Sequence, residues 1–165
     1  MEKLKRISVY LWAVVLIVID QLIKLLVINN IKDDSITIIK GFLKFWYCEN
    51  EGVAFSIGDG HVPVFIVVNL IIIVGLIIYY EKNKGMYNLL SKMFFTMVIA
   101  GGTSNLLDRI VRGYVVDFID VNEFIDFAVF NVADIFIVCG IIGMITCLII
   151  NEFKSVKKEC LKNHN

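Results

Sequence analysis

The stretch "GYVVDFIDVNEFIDFAVFNVADIF", residues 113–136, sets carboxylates at Asp117, Asp120, Glu123, Asp126 and Asp134 among aromatic and aliphatic side chains. Acids at that density in so apolar a segment belong either to the surface of a soluble fold or to the polar edge of a membrane domain. Composition decides between the two. Hydrophobic residues make up 58% of the chain and the mean hydropathy is +0.78, well above the apolar share of an ordinary soluble domain. A single proline interrupts the 165 residues.

Outward from this stretch, runs of the roughly 20 apolar residues that a bilayer crossing requires fall at roughly 7–28, 62–80, 89–107 and 130–150. They predict an all-α polytopic membrane protein of four transmembrane helices, folded as one domain over 1–165. The opening "MEKLKR" and the run "ISVYLWAVVLIVI" have the basic and apolar regions of a secretory signal peptide. No small-x-small cleavage site follows, and the run resumes past Asp20, Gln21 and Lys24, so an uncleaved first span is expected.

Four spans leave both termini on one side. The tails and the 81–92 loop on that side hold ten of the sixteen Lys and Arg residues and only four of the sixteen acids. By the positive-inside rule, both termini are expected in the cytoplasm and the acid-rich face outside. No basic patch stands out, which argues against nucleic acid as a partner. Cys48, Cys139, Cys147 and Cys160 form no CxxC pair, so neither a disulfide framework nor a zinc site is suggested, and packing is their expected role.

Two outer segments differ in texture from the spans. Residues 35–47, "SITIIKGFLKFWY", are β-branched and aromatic around a central glycine, which predicts a small sheet or hairpin on the membrane surface. Its Phe42, Phe45, Trp46 and Tyr47 suit the headgroup level. Residues 108–129 read as an amphipathic interfacial piece, with Asp120, Glu123 and Asp126 on its solvated side.

Ionisable groups within or beside a span are costly unless paired or facing a polar cavity. Asp20 and Lys24 stand i, i+4 in "DQLIK", placed for a structural ion pair. Asn50 and Gly52 in "CENEGVAFSIG" mark a turn before the second span. In "GGTSNLLDRIVRG", Gly101 and Gly102 permit close helix approach. Asn105, Asp108 and Arg109 share a helix face there, Arg109 being free to hold Asp108, a phosphate or a carbonyl. "FNVAD" places Asn131 and Asp134 three apart on one face. If the chain folds back, Asp117 meets Asp134 at the outer boundary. Two such carboxylates share a proton and titrate as a pair, able to activate water and protonate a leaving amine. A structural or ion-conducting role for the same acids, as in a small proton transporter, stays open at this level.

The set "DQLIK", "NEGVAFS", "GGTSNLLDR", "GYVVDFID" and "FNVAD", in this order, resembles the lipoprotein signal peptidase family, the type II signal peptidases of bacteria. The resemblance runs from residue 20 to 134. It implies a catalytic pair at Asp117, in a "VxDF" motif, and Asp134, in an "FNxAD" motif. Asn50, Asn105, Asp108, Arg109 and Asn131 would have supporting or substrate-binding roles, and a small extracytoplasmic β-sheet would cradle the site. It implies an aspartic endopeptidase of the cell membrane, active at the outer face; a monomer is expected. Its substrates would be prolipoproteins cut before the S-diacylglyceryl cysteine, and its surroundings membrane lipid.

Two positions depart from the family pattern. Ser104 replaces a usual glycine, and Ile135 a usually small residue. Neither removes a group that the chemistry requires. No metal or cofactor is implied, since there is no HExxH and His61 and His164 read as surface residues. Ser56 and Ser104 lack an evident Lys or His partner for serine catalysis. Phe55, Phe118 and Phe130 are placed either to line the lipid and peptide path or to pack.

Overall fold

The computed structural model describes residues 2–52 and 60–163, with side chains over 9–52 and 60–153. Phe55, Ser56 and His164 lie outside the described residues. Helix α1 (Glu2–Ile31) leads into the hairpin β1 (Ser35–Ile39) and β2 (Leu43–Asn50). Then come α2 (Val62–Asn83), α3 (Leu89–Arg112), β3 (Val115–Asp120) and α4 (Val132–Asn163).

Three predicted spans lie within a helix, while the fourth, at 130–150, starts two residues before α4 because Phe130 bridges to Ile119. All four helices run past the C-terminal ends of the apolar windows because backbone hydrogen bonds, not hydropathy, end them. Asn88 caps α3, its side chain accepting from the Ser91 N–H at 2.8 Å. Gly113 closes α3 at φ +82°, a left-handed C-cap conformation that costs glycine nothing. Three helical segments are long and apolar enough to cross a membrane: Val9–Ile31, Val62–Asn83 and Val132–Phe153. Among the described residues α3, whose 89–107 run was expected as a span, is not one of them. Its inward side carries Ser91, Thr96, Ser104, Asn105, Asp108 and Arg109, all buried. Helix α2 is the opposite case, with only Ile73 and Tyr80 buried. Such an apolar exterior cannot face water, and a helix satisfies its own backbone in lipid. The molecule is therefore a membrane protein.

Helices α3 and α4 pack at backbone distance. A Cβ on Gly101 would stand 2.8 Å from Ile137 Cγ1 and against the Ala133 carbonyl, and one on Gly140 would stand 2.7 Å from the Phe94 carbonyl. Gly102 instead faces α2 at Ile73. Of the expected close-approach pair, then, only Gly101 meets α4.

The three strands form one antiparallel sheet in the order β1-β2-β3. The expected hairpin at 35–47 is thus present, but 108–129 is not an interfacial amphipathic piece. It divides into the last turn of α3, strand β3 and a turn. Strand β3 shows no in-out alternation because both its faces are covered. Val116 and Phe118 join Val27 and Ile31 of α1 and Tyr47 in a buried cluster, and Phe118 meets Phe45 edge-on at 5.7 Å. Tyr47 and Phe118 are therefore core residues rather than headgroup or substrate contacts, while Phe42 and Trp46 stay exposed. Asp120 is also buried, at 3% exposure, its carboxylate 3.2 Å from Lys44 Nζ; it is not on a solvated side. Phe130 pairs with Ile119 as an isolated bridge, which lays the start of α4 alongside β3.

Candidate active site

That bridge brings the two aspartates of the opening stretch together. Asp117 stands on β3 opposite Cys48 of β2. Its two carboxylate oxygens accept from Asn50 Nδ2 at 2.8 Å and Asn131 Nδ2 at 2.7 Å. Asn131 is the N-cap of α4 rather than a member of its face. Its side-chain oxygen accepts from the Asp134 N–H at 3.0 Å, and Asp134 Oδ2 accepts from the Asn131 N–H at 3.0 Å. This is a reciprocal capping box with aspartate in the place of the usual Glu. The other Asp134 oxygen accepts from Asn105 Nδ2 at 2.8 Å. Asn131 Nδ2 also donates to Asn105 Oδ1 at 3.1 Å. Three asparagines thus present amide donors to two acids.

Behind them lies a buried ionic network. Lys24 Nζ is 2.8 Å from Asp20 and 2.8 Å from Asp108, and donates to Asn105 Oδ1 at 2.9 Å. The amide of Asn105 can then point only its NH2 at Asp134. Asp20 also accepts from the Ala133 N–H at 2.8 Å, holding the first turn of α4. The expected Asp20–Lys24 pair is present and extends to Asp108, which pairs with Arg112 and accepts from Gln21 at 2.9 Å.

Asp108 is thus held by Lys24, Gln21 and Arg112. Arg109 turns the other way, donating to the Gly52 carbonyl at 2.7 Å with its guanidinium 5.8 Å from the Phe65 ring centroid. Gly52 in turn donates its N–H to Asn50 Oδ1 at 3.0 Å. Arg109 therefore fixes the turn that aims Asn50 at Asp117.

Sequence reasoning missed Gln21 and Arg112 as parts of this network, although the i, i+4 spacing of Asp108 and Arg112 was a visible signal. Ser104, a departure from the family pattern, is fully buried and donates to Asp20 Oδ2 at 2.6 Å.

Both aspartates line a cavity of about 580 Å³ walled by α2, α3, α4 and the 127–130 segment. Its sides are apolar, among them Phe65, Val68, Ile72, Phe130 and Ile135. Asn69, the polar residue in the middle of α2, also reaches it and donates to the Gly102 carbonyl at 3.2 Å. Of the cysteines, Cys147 is buried, but Cys139 is exposed on the cavity rather than packed.

Burial drives the Asp117 carboxyl up to about 7, the negative charge of Asp134 adds to this, and the Asn50 and Asn131 hydrogen bonds oppose it. Near neutral pH this acid therefore exists both with and without its proton. Among the described residues no three His, Cys, Asp or Glu side chains converge as metal ligands.

A family model described as signal peptidase (SPase) II matches residues 12–150. The chain belongs to the signal peptidase II family. The lipoprotein signal peptidases of Staphylococcus aureus strains bovine RF122 / ET3-1 and JH9 are each 34% identical over 149 residues, 89% of this chain and 91% of theirs. Two solved bacterial membrane enzymes share the fold. One has a TM-score of 0.78 and 32% identity, covering 88% of this chain and 89% of its own. The other has a TM-score of 0.75 and 33% identity, covering 86% and 92%. As a signal peptidase II the protein is an aspartic peptidase, and the transporter reading falls away.

Proposed function

We propose that this signal peptidase II cuts prolipoproteins on the N-terminal side of the S-diacylglyceryl cysteine, with Asp117 and Asp134 as its catalytic pair. One observation carries the reading. Two carboxylates, one on a strand and one on a membrane helix, are held by the same Asn131 in the wall of an apolar cavity.

One carboxylate of the pair takes a proton from water as the water oxygen attacks the scissile carbonyl. The protonated partner gives its proton to the cysteine nitrogen as the C–N bond breaks. Products are a new carboxyl end on the signal peptide and a free amine on the lipidated cysteine. Asn50, Asn105 and Asn131 hold the acids in place, and Asp108, Arg109, Asp20 and Lys24 fix the asparagines and the helix ends around them. Acyl chains and apolar signal-peptide residues suit the α2 and α4 walls of the cavity.

The orientation follows from charge and shape. Helix α3 crosses the bilayer as the fourth span, its 24 residues giving about 36 Å of helix, with its polar residues turned to the other helices. Both termini then lie in the cytoplasm, and the sheet and both aspartates at the outer face. Exposed Ile36, Ile38, Phe42 and Trp46 suit the headgroup layer. The 165 residues act as one domain and as a monomer.

The test is cleavage of a diacylglyceryl-modified prolipoprotein by purified protein in detergent. Wild type cleaves, while Asp117→Asn and Asp134→Asn each lose activity by at least about 1,000-fold, consistent with loss of an essential acid or base. Retained cleavage in both variants would overturn the assignment.

A further inference from the structure

Asp117 and Asn50 belong to two cavities at once. Against them, and sharing the 127–129 segment with the apolar cavity, lies a second cleft of about 260 Å³, whose polar lining comprises Asn50, Asp117, Asn122 and Asp126. Strand β2 forms one wall at Cys48. The 122–129 turn forms the other, and the turn is fixed at several points. Asn122 Oδ1 accepts from the Phe127 N–H at 3.1 Å, Glu123 accepts from the Gly41 N–H at 2.9 Å, and Phe124 meets Phe42 edge-on at 5.1 Å. Asp126 is therefore presented over the cleft by a braced turn. Among the described residues it forms no ion pair.

A substrate cut at Asp117 has two unlike halves. The acyl chains and signal peptide are apolar and fill the larger cavity. The chain following the lipidated cysteine is polar and must leave toward water past Asp117. We infer that the smaller cleft is the subsite for the first residues after that cysteine, with Asp126 as a charge-reading residue that favours a cationic side chain there and disfavours an acidic one. This rests on the peptidase reading above and adds a specificity to it.

The test uses purified protein in detergent and prolipoproteins that differ only in carrying Lys, Gln or Asp at one of the two positions after the cysteine. At one of those positions kcat/KM for Lys should exceed that for Asp by about 3- to 10-fold, the scale of one solvent-screened charge pair acting with opposite sign on the two substrates. The ratio should shrink in high salt. Asp126→Asn should bring it close to 1. Glu123→Gln removes the same charge from the same turn outside the cleft while its amide oxygen still accepts from the Gly41 N–H, and should keep the ratio.

Equal cleavage of Lys and Asp substrates by wild type at both positions would overturn the subsite. So would a ratio that survives Asp126→Asn, or one lost equally in Glu123→Gln. Cleavage retained by Asp117→Asn and Asp134→Asn would instead strike the catalytic assignment, leaving the charge preference as a separate measurement.

Discussion

At the scale of single residues the two aspartates differ in how they are held, and Asp117 yields a prediction in pH. Its carboxyl ordinarily titrates near 3.8 and is pushed to about 7 in the fold. Between those values the folded state binds more protons than the unfolded one. Stability from this group is thus fully present below about 4 and is lost as pH rises through 7. The melting temperature of the wild type in detergent should fall from pH 5 to pH 8, and Asp117→Asn should flatten that fall. Activity should decline above pH about 7 to 8 as the pair loses its shared proton.

Asn131 joins both acids, so Asn131→Ala should lower kcat by on the order of 100-fold through misplacement. The lost cap adds about 1 kcal/mol of destabilisation. A variant with full kcat would show that the bridging amide is dispensable. Lys24, with no exposed surface, neutralises two buried acids. Lys24→Met should cost about 3–5 kcal/mol by leaving Asp20 without a cation and Asp108 with Arg112 alone, measurable as loss of thermal stability.

At the scale of elements the α3–α4 contact controls where Asp134 sits. Gly101→Ala puts a methyl against the Ala133 carbonyl, one residue before Asp134. It should destabilise the fold by about 1–3 kcal/mol and depress kcat more than it raises KM. An unchanged kcat would mean that the helices separate without moving the acid.

The elements were also unequally readable in sequence. The β1-β2 hairpin announced itself through β-branched residues around a glycine. Strand β3 did not, since "VVDFID" is buried on both faces and its acids suggested a wet surface. Only the tertiary partners α1, β2 and Phe130 reveal that Asp120 is covered and Asp117 enclosed. In the same way "FNVAD" showed two polar residues at helical spacing. The spacing alone does not tell a shared face from a cap, because both need a residue three positions on.

At the scale of the whole molecule the apolar runs located all four helices, and the ordered motifs held the residues that meet at the cavity. The ends of the helices and the fate of α3 needed the packing. Its polar residues lower its hydropathy because they are the ones turned inward to the site and network. The proposed orientation is checked by thiol labelling of intact cells. Lys40→Cys, at the tip of the β1-β2 hairpin, should react with a membrane-impermeant reagent. Lys84→Cys, beyond the far end of α2, should react only after lysis, and the reverse pattern would invert the topology.

The split origin of the proposed catalytic pair has a consequence for biosynthesis. Asp117 arrives on a strand that must join β2, and that in the proposed orientation must first cross the bilayer, while Asp134 arrives on the helix synthesised next, and the Phe130 bridge forms only when the two have met. A nascent, half-inserted or inverted chain holds both acids but no site. On the assignment proposed above, peptidase activity should therefore begin only once β3, β2 and the start of α4 have met.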